Sequence, residues 1–106
     1  MADGTHEFTW TVPADHPALP GHFPGNPIVP GVLLLDRALI FAEQFGNASA
    51  GNPNRRWQVD SAKFLHPAGP GETLIFTLQQ RPGGGLSFSA RSSTHDVASG
   101  RLTPMP

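Results

Sequence analysis

The chain has 106 residues, 38% of them apolar, and its seven Lys and Arg against eight Asp and Glu leave a net charge of −1. That balance excludes a disordered or strongly charged chain and provides no electrostatic footprint for nucleic acid. With no cysteine there is neither a disulfide framework nor a thiolate metal site, which fits the cytoplasm.

Met1 to Glu7 lacks the basic and apolar regions of a secretory signal. The uncharged apolar runs are far shorter than the roughly 20 residues a membrane span needs. The expectation is one globular domain over residues 1–106, with 1–6 and 103–106 as flexible ends.

Glu7 to Val12 alternates apolar Phe8, Trp10 and Val12 with polar neighbours, the period of a half-buried strand, and Pro13 ends it. Ala14 to Pro20 is short and bounded by prolines. From Gly21 to Gly31, three glycines and three prolines forbid a regular helix or central strand and predict a fixed loop. The chain then enters a helix: Val32 to Leu35 is apolar, and the run continues through Ala38, Leu39, Ile40, Phe41 and Ala42. Gly46 to Asn54, rich in small turn formers, reads as an exposed connection. A domain this small buries at most about two-thirds of its unfolded surface, so so apolar a helix calls for cover from a partner subunit.

A second strand is predicted from Trp57 to Leu65, followed by a sharp turn over His66 to Gly71. In Glu72 to Gln80, Leu74, Phe76 and Leu78 share one face, with Ile75 the exception on the other. Pro82 to Gly85 is a hairpin loop, after which Leu86, Phe88 and Ala90 alternate with Ser87, Ser89 and Arg91. A last strand runs from about His95 to Leu102, and Thr103 to Pro106 shows no sign of structure. The layout is α+β: one long central helix and several antiparallel strands, suited to a curved sheet wrapped around the helix.

Asp36 stands within the apolar run, with Val32 and Leu33 one turn before it and Leu39 and Ile40 one turn after. Burial among them would favour the protonated form and suit a general acid. The alternative is an acid that pairs with Arg37 or points into solvent. Arg55-Arg56 is the only local basic pair, and the first candidate to meet an acidic ligand or partner.

Gly21-His22-Phe23-Pro24-Gly25, followed by Pro27, Ile28, Pro30-Gly31-Val32-Leu33 and the acid at position 36, resembles the signature loop and helix of the 3-hydroxyacyl-acyl carrier protein dehydratases, the hot-dog-fold enzymes of fatty acid synthesis. Asp60-Ser61-Ala62-Lys63-Phe64 and Pro67-Ala68-Gly69-Pro70-Gly71-Glu72 resemble that family's strand and proline-glycine turn, so the likeness runs from about Phe8 onwards.

The resemblance implies a hot-dog fold paired edge to edge in a homodimer or higher homo-oligomer, each active site at the dimer interface combining His22 of one subunit with Asp36 of the other. It implies dehydration of (3R)-3-hydroxyacyl thioesters of acyl carrier protein or coenzyme A to trans-2-enoyl thioesters, with no cofactor and no metal. In that chemistry His22 is the base, the Gly31 N–H at the helix start polarises the thioester carbonyl, and Asp36 protonates the departing hydroxyl. Phe23, Ile28, Val32, Leu33 and Ile40 are candidates for the acyl tunnel, and Arg55, Arg56 and Lys63 for carrier docking.

Arg37 and Ile40 occupy positions where the family usually has a small residue and a glutamine. Aspartate at 36 resembles the isomerising branch of the family, whereas Phe-Pro-Gly after His22 resembles the glutamate branch. The resemblance leads one to expect a helix and strand before the position of Phe8, and Met1 to Glu7 is too short to hold them. A second reading therefore stands beside the enzyme: a hot-dog subunit that binds acyl groups or supports a partner, with Arg37 holding Asp36 ionised. A thioesterase shares the fold but is not suggested by the His22 loop. His6, His16, His66 and His95 show no metal-ligand spacing and read as surface residues.

Overall fold

The computed structural model describes residues 4–13, 31–50 and 56–105. Strand β1 (Thr5–Thr11) is followed by helix α1 (Gly31–Ala50) and strands β2 (Trp57–Phe64), β3 (Thr73–Gln80), β4 (Leu86–Arg91) and β5 (Asp96–Pro104). All five strands join one antiparallel sheet in the order β1-β3-β4-β5-β2. Both edges come from strands distant in sequence from their neighbours, so long-range pairing completes the sheet, and the helix packs on one face of it.

Alternation decides which side chains face that helix. Phe8 opposes Phe76 and Trp10 opposes Leu74 across β1 and β3, while Phe76 opposes Ala90 and Leu78 opposes Phe88 across β3 and β4. Leu74, Phe76 and Leu78 are fully buried, as is Leu102 from β5. From α1, Leu34, Ala38, Phe41 and Ala42 meet them. The Phe41 ring stacks on Phe8 at 4.3 Å and meets Phe76 edge-on at 5.4 Å, the two arrangements that aromatic quadrupoles favour. Ile75, the exception in the sequence pattern, lies on the convex face.

Two sequence readings are corrected. The helix does not stop before Gly46 but continues to Ala50, through residues read as a connection. Its reason is Trp57, whose ring lies against the Gly46 backbone so closely that a Cβ there would collide with it. Close packing by a large aromatic outweighs the helix cost of glycine, about 1 kcal/mol. At the carboxyl end, Thr103 and Pro104 belong to β5 instead of a flexible tail, opposite Gln58 and Trp57, and the Met105 N–H donates to the Arg56 carbonyl. Pro104 lies past the end of the β4 ladder, where its missing N–H leaves no gap. At the amino end, β1 already includes Thr5 and His6.

The β3–β4 hairpin turns on Gly83 and Gly84, both at positive φ, as a tight reversal requires. Gly100 in β5 has a different reason to be glycine. A Cβ there would run into the Ser61 carbonyl and stand 2.6 Å from the Phe88 ring. Gly100→Ala is therefore expected to destabilise the fold by about 1–3 kcal/mol, because a paired backbone cannot move aside. Urea denaturation checks it, and an unchanged midpoint would show that the strands relax freely.

Candidate active site

The first turns of α1 carry the described part of the site. His22, Phe23, Ile28 and Arg55 lie outside the described residues, as does His16. Gly31 opens the helix, and Asp36 follows five residues on, about 7.5 Å along the axis. The Phe64 ring, at the end of β2, covers the Gly31 Cα: an added Cβ would lie 2.8 Å from it. A side chain at Gly31 would have to push the half-exposed Phe64 ring aside.

Asp36 is exposed, and among the described residues it makes no hydrogen bond or ion pair. Of the apolar neighbours expected to enclose it, Leu33, Leu39 and Ile40 are half-buried and Val32 is 68% exposed. The reading of Asp36 as buried within one chain is therefore corrected. The helix turns Leu34, Ala38, Phe41 and Ala42 to the sheet, and this leaves Val32, Asp36 and Glu43 on the opposite side.

Arg37 does not hold Asp36. Its guanidinium lies over the Trp10 ring, 5.0 Å from the centroid, and 5.7 Å from that of Phe41. The position after the acid is filled by a cation because an aromatic pair is there to receive it. Arg37→Gln should cost about 0.5–1 kcal/mol of stability through the lost cation–π contact. The Asp36 environment should stay unchanged, which the side-chain carboxyl NMR shift reports; a displaced shift would reinstate an Arg37–Asp36 coupling.

Beside Asp36 the described surface is apolar and exposed. Val32, Phe64 at 52% and Leu65 at 51% exposure adjoin the free edge of β2, whose residues Asp60 to Phe64 are all exposed. Among the described residues that edge pairs with no further strand, the usual template for pairing with another chain. Arg56 and Lys63, grouped in the sequence reading, stand at opposite ends of β2, about 23 Å apart by strand rise. His66 and His95 are both exposed and stack on each other at 3.7 Å, while His6 stacks on Phe45 and meets Phe8 at a tilt. The described residues contain no group of three His, Asp or Glu placed to hold a metal ion, and no helix is long and apolar enough to cross a membrane.

One helix held in a five-stranded antiparallel sheet, with an acid near the helix start, defines a hot-dog protein. Solved structures share the fold. One is described as the dehydratase heterocomplex ApeI:P from Xenorhabdus doucetiae, at 19% identity and a TM-score of 0.79, over 99% of this chain and 90% of that chain. An uncharacterized protein from Erwinia carotovora subsp. atroseptica matches at 28% identity and a TM-score of 0.75, over 96% and 83%. The fluoroacetyl-CoA-specific thioesterase FlK matches at 16% identity and a TM-score of 0.64, over 95% and 84%, a likeness of fold alone.

Residues 1–101 match the family described as ApeI-like, ApeI dehydratase, and the chain belongs to that family. It is also similar to the 3-hydroxyacyl-[acyl-carrier-protein] dehydratases FabZ of Acidiphilium cryptum, at 34% identity over 78% of this chain, and Anaplasma phagocytophilum, at 30% over 78%. The chain spans 54% and 63% of the length of those two relatives.

Proposed function

We propose that this protein removes water from (3R)-3-hydroxyacyl thioesters to give trans-2-enoyl thioesters, in the building of fatty acids or related acyl chains. Membership of a dehydratase family supports the reaction class. The observation that carries the assignment of residues is Asp36, an acid free of protein partners among the described residues, one and a half turns after a glycine-started helix.

His22 removes the proton on the carbon next to the thioester carbonyl, and the electron pair passes into the carbonyl oxygen as an enolate-like charge. The Gly31 N–H, a helix-start donor with no partner inside α1, donates a hydrogen bond to that oxygen. When the pair returns, the bond from the third carbon to its hydroxyl breaks, Asp36 supplies the proton, and water leaves. His22 then holds the proton taken from the substrate carbon and Asp36 lacks the one that left in the water, so a net proton transfer from His22 to Asp36 resets the site. Because Asp36 is exposed in one chain, a second chain docking along β2 and over Val32, Phe64 and Leu65 would exclude water from it and supply the opposing His22.

Phe23, Ile28, Val32, Leu33 and Ile40 form the acyl wall in this reading, while Arg55 and Arg56 face an acidic carrier, either acyl carrier protein or coenzyme A, and Lys63, at the other end of β2, stands apart from them. The cytoplasm, where such thioesters are made, is the proposed location. No cofactor or metal is required by the steps above.

A second reading has a specific support: a neighbouring fold was solved as a heterocomplex. The uncovered β2 edge would then pair with a different hot-dog chain, and this chain would contribute half of a site. The test is turnover of a panel of 3-hydroxyacyl thioesters, on carrier protein and on coenzyme A, by the purified chain, with products read by mass. Loss of water supports the dehydratase. Free acid in its place would mean a thioesterase, and no conversion by a folded protein would favour the subunit reading.

A further inference from the structure

The convex face of the sheet, away from α1, has a feature that the dehydration chemistry does not use. Ser61 of β2 stands opposite Arg101 of β5, which stands opposite Ser87 of β4. One step along, Lys63 stands opposite Ser99. Residues directly opposite across antiparallel strands share a face, so these five side chains rise together from three adjacent strands. They line a depression of about 300 Å³, completed by Ala62, Gly100 and Phe88 of the intervening row. No residue of α1 contributes to it.

Its charge is unbalanced. Lys63 and Arg101 are exposed, and neither forms an ion pair among the described residues. They occupy diagonal positions on neighbouring strands, with Cβ atoms within about 7–8 Å, where like charges repel. Among the described residues Glu7 pairs with Arg91 at 3.4 Å and Asp60, in the bulge before Ser61, accepts from the Thr103 hydroxyl at 3.0 Å, and neither Asp60 nor Asp96 forms an ion pair with Lys63 or Arg101. In a chain of net charge −1, two adjacent unneutralised cations over serine hydroxyls are a local arrangement and not a general basicity. A ligand that answers every group has several strong acceptor oxygens and two negative charges. Those are the properties of a phosphate group, with guanidinium and ammonium on its oxygens and Ser61, Ser87 and Ser99 as further donors.

We propose that this depression is a binding site for a terminal phosphate group, separated from the candidate active site by the thickness of the sheet. Two sources share that chemistry, free inorganic phosphate and a phosphate ester on a nucleotide-bearing carrier such as coenzyme A. The second source rests on the dehydratase reading, and the first does not.

The experiment is an NMR titration of the full chain, labelled with nitrogen-15, at constant ionic strength. Added inorganic phosphate is expected to shift the amides of Ser61, Lys63, Ser99 and Arg101 with saturation. Lys63→Gln and Arg101→Gln should each weaken binding by about tenfold, the value of one charge-assisted contact. Arg81→Gln, an exposed cation on the β3–β4 hairpin, should leave it unchanged. Coenzyme A and dephospho-coenzyme A separate the sources: tighter binding of the first alone assigns the ester, and equal failure of both beside saturable inorganic phosphate assigns the free anion. Either result upholds the site. Shifts that never saturate, that chloride reproduces, or that survive both substitutions would overturn it. Because phosphate binding is read without turnover, its failure is distinguishable from failure of the dehydratase reading.

Discussion

Asp36→Asn is expected to lower the dehydration rate by about a hundredfold or more while leaving the fold intact, and His22→Ala should do the same. Asparagine keeps the size of the side chain and removes only its capacity to give up a proton. Because Asp36 is exposed and has no protein partner among the described residues, its replacement breaks nothing that holds α1 to the sheet. Initial rates on a turned-over thioester, with a circular dichroism spectrum of each variant, separate the effects. A variant with normal structure and normal rate would remove Asp36 from the chemistry. Mixing the two inactive variants adds a sharper test: activity should return in part if each site draws His22 and Asp36 from different chains.

Phe76→Ala is expected to have the largest effect on stability, about 3–5 kcal/mol. The side chain is fully buried, lies in β3 between β1 and β4, and meets both Phe41 of α1 and Trp10 of β1 edge-on. Its removal leaves a cavity where helix and sheet join, against a total stability of about 5–15 kcal/mol for a domain of this kind. Chemical denaturation gives the magnitude, and Phe76→Leu, which keeps most of the volume, should lose less than half as much. Equal midpoints for the two variants would show that the core collapses into the gap.

The strands were legible because a half-buried sheet writes its two faces into the sequence. Phe8, Trp10 and Val12, then Leu74, Phe76 and Leu78, then Leu86, Phe88 and Ala90 alternate, and all of them face α1. The helix was legible at its start and not at its end. Gly46 to Ala50 carries turn-forming residues, yet the helix runs on through them, and the Trp57 ring that lies against Gly46 comes from a strand not yet reached in the chain. The same limit applies to Thr103 and Pro104, whose place in β5 depends on pairing with Gln58 and Trp57.

At the site, residue types were legible and their surroundings were not. The neighbours of Asp36 suggested burial because a sequence shows which residues are near but not which way the helix is turned. That orientation is set by Phe41 and Ala38 packing on the sheet. Arg37, adjacent to Asp36 in sequence, faces Trp10 from a segment more than two dozen residues earlier. Phe64 over Gly31 and Arg101 beside Lys63 depend on strand register, which no local pattern of either segment encodes.

Dehydration and hydrolysis place solvent oxygen on different atoms, so the most direct measurement uses water enriched in oxygen-18. The purified protein is incubated with a (3R)-3-hydroxyacyl thioester, and the substrate and products are analysed by mass. A reversible dehydratase should give enoyl thioester together with remaining substrate labelled at its 3-hydroxyl, and both signals should fall in Asp36→Asn. Label found in the carboxylate of a free acid, with the 3-hydroxyl unlabelled, would contradict the proposed reaction.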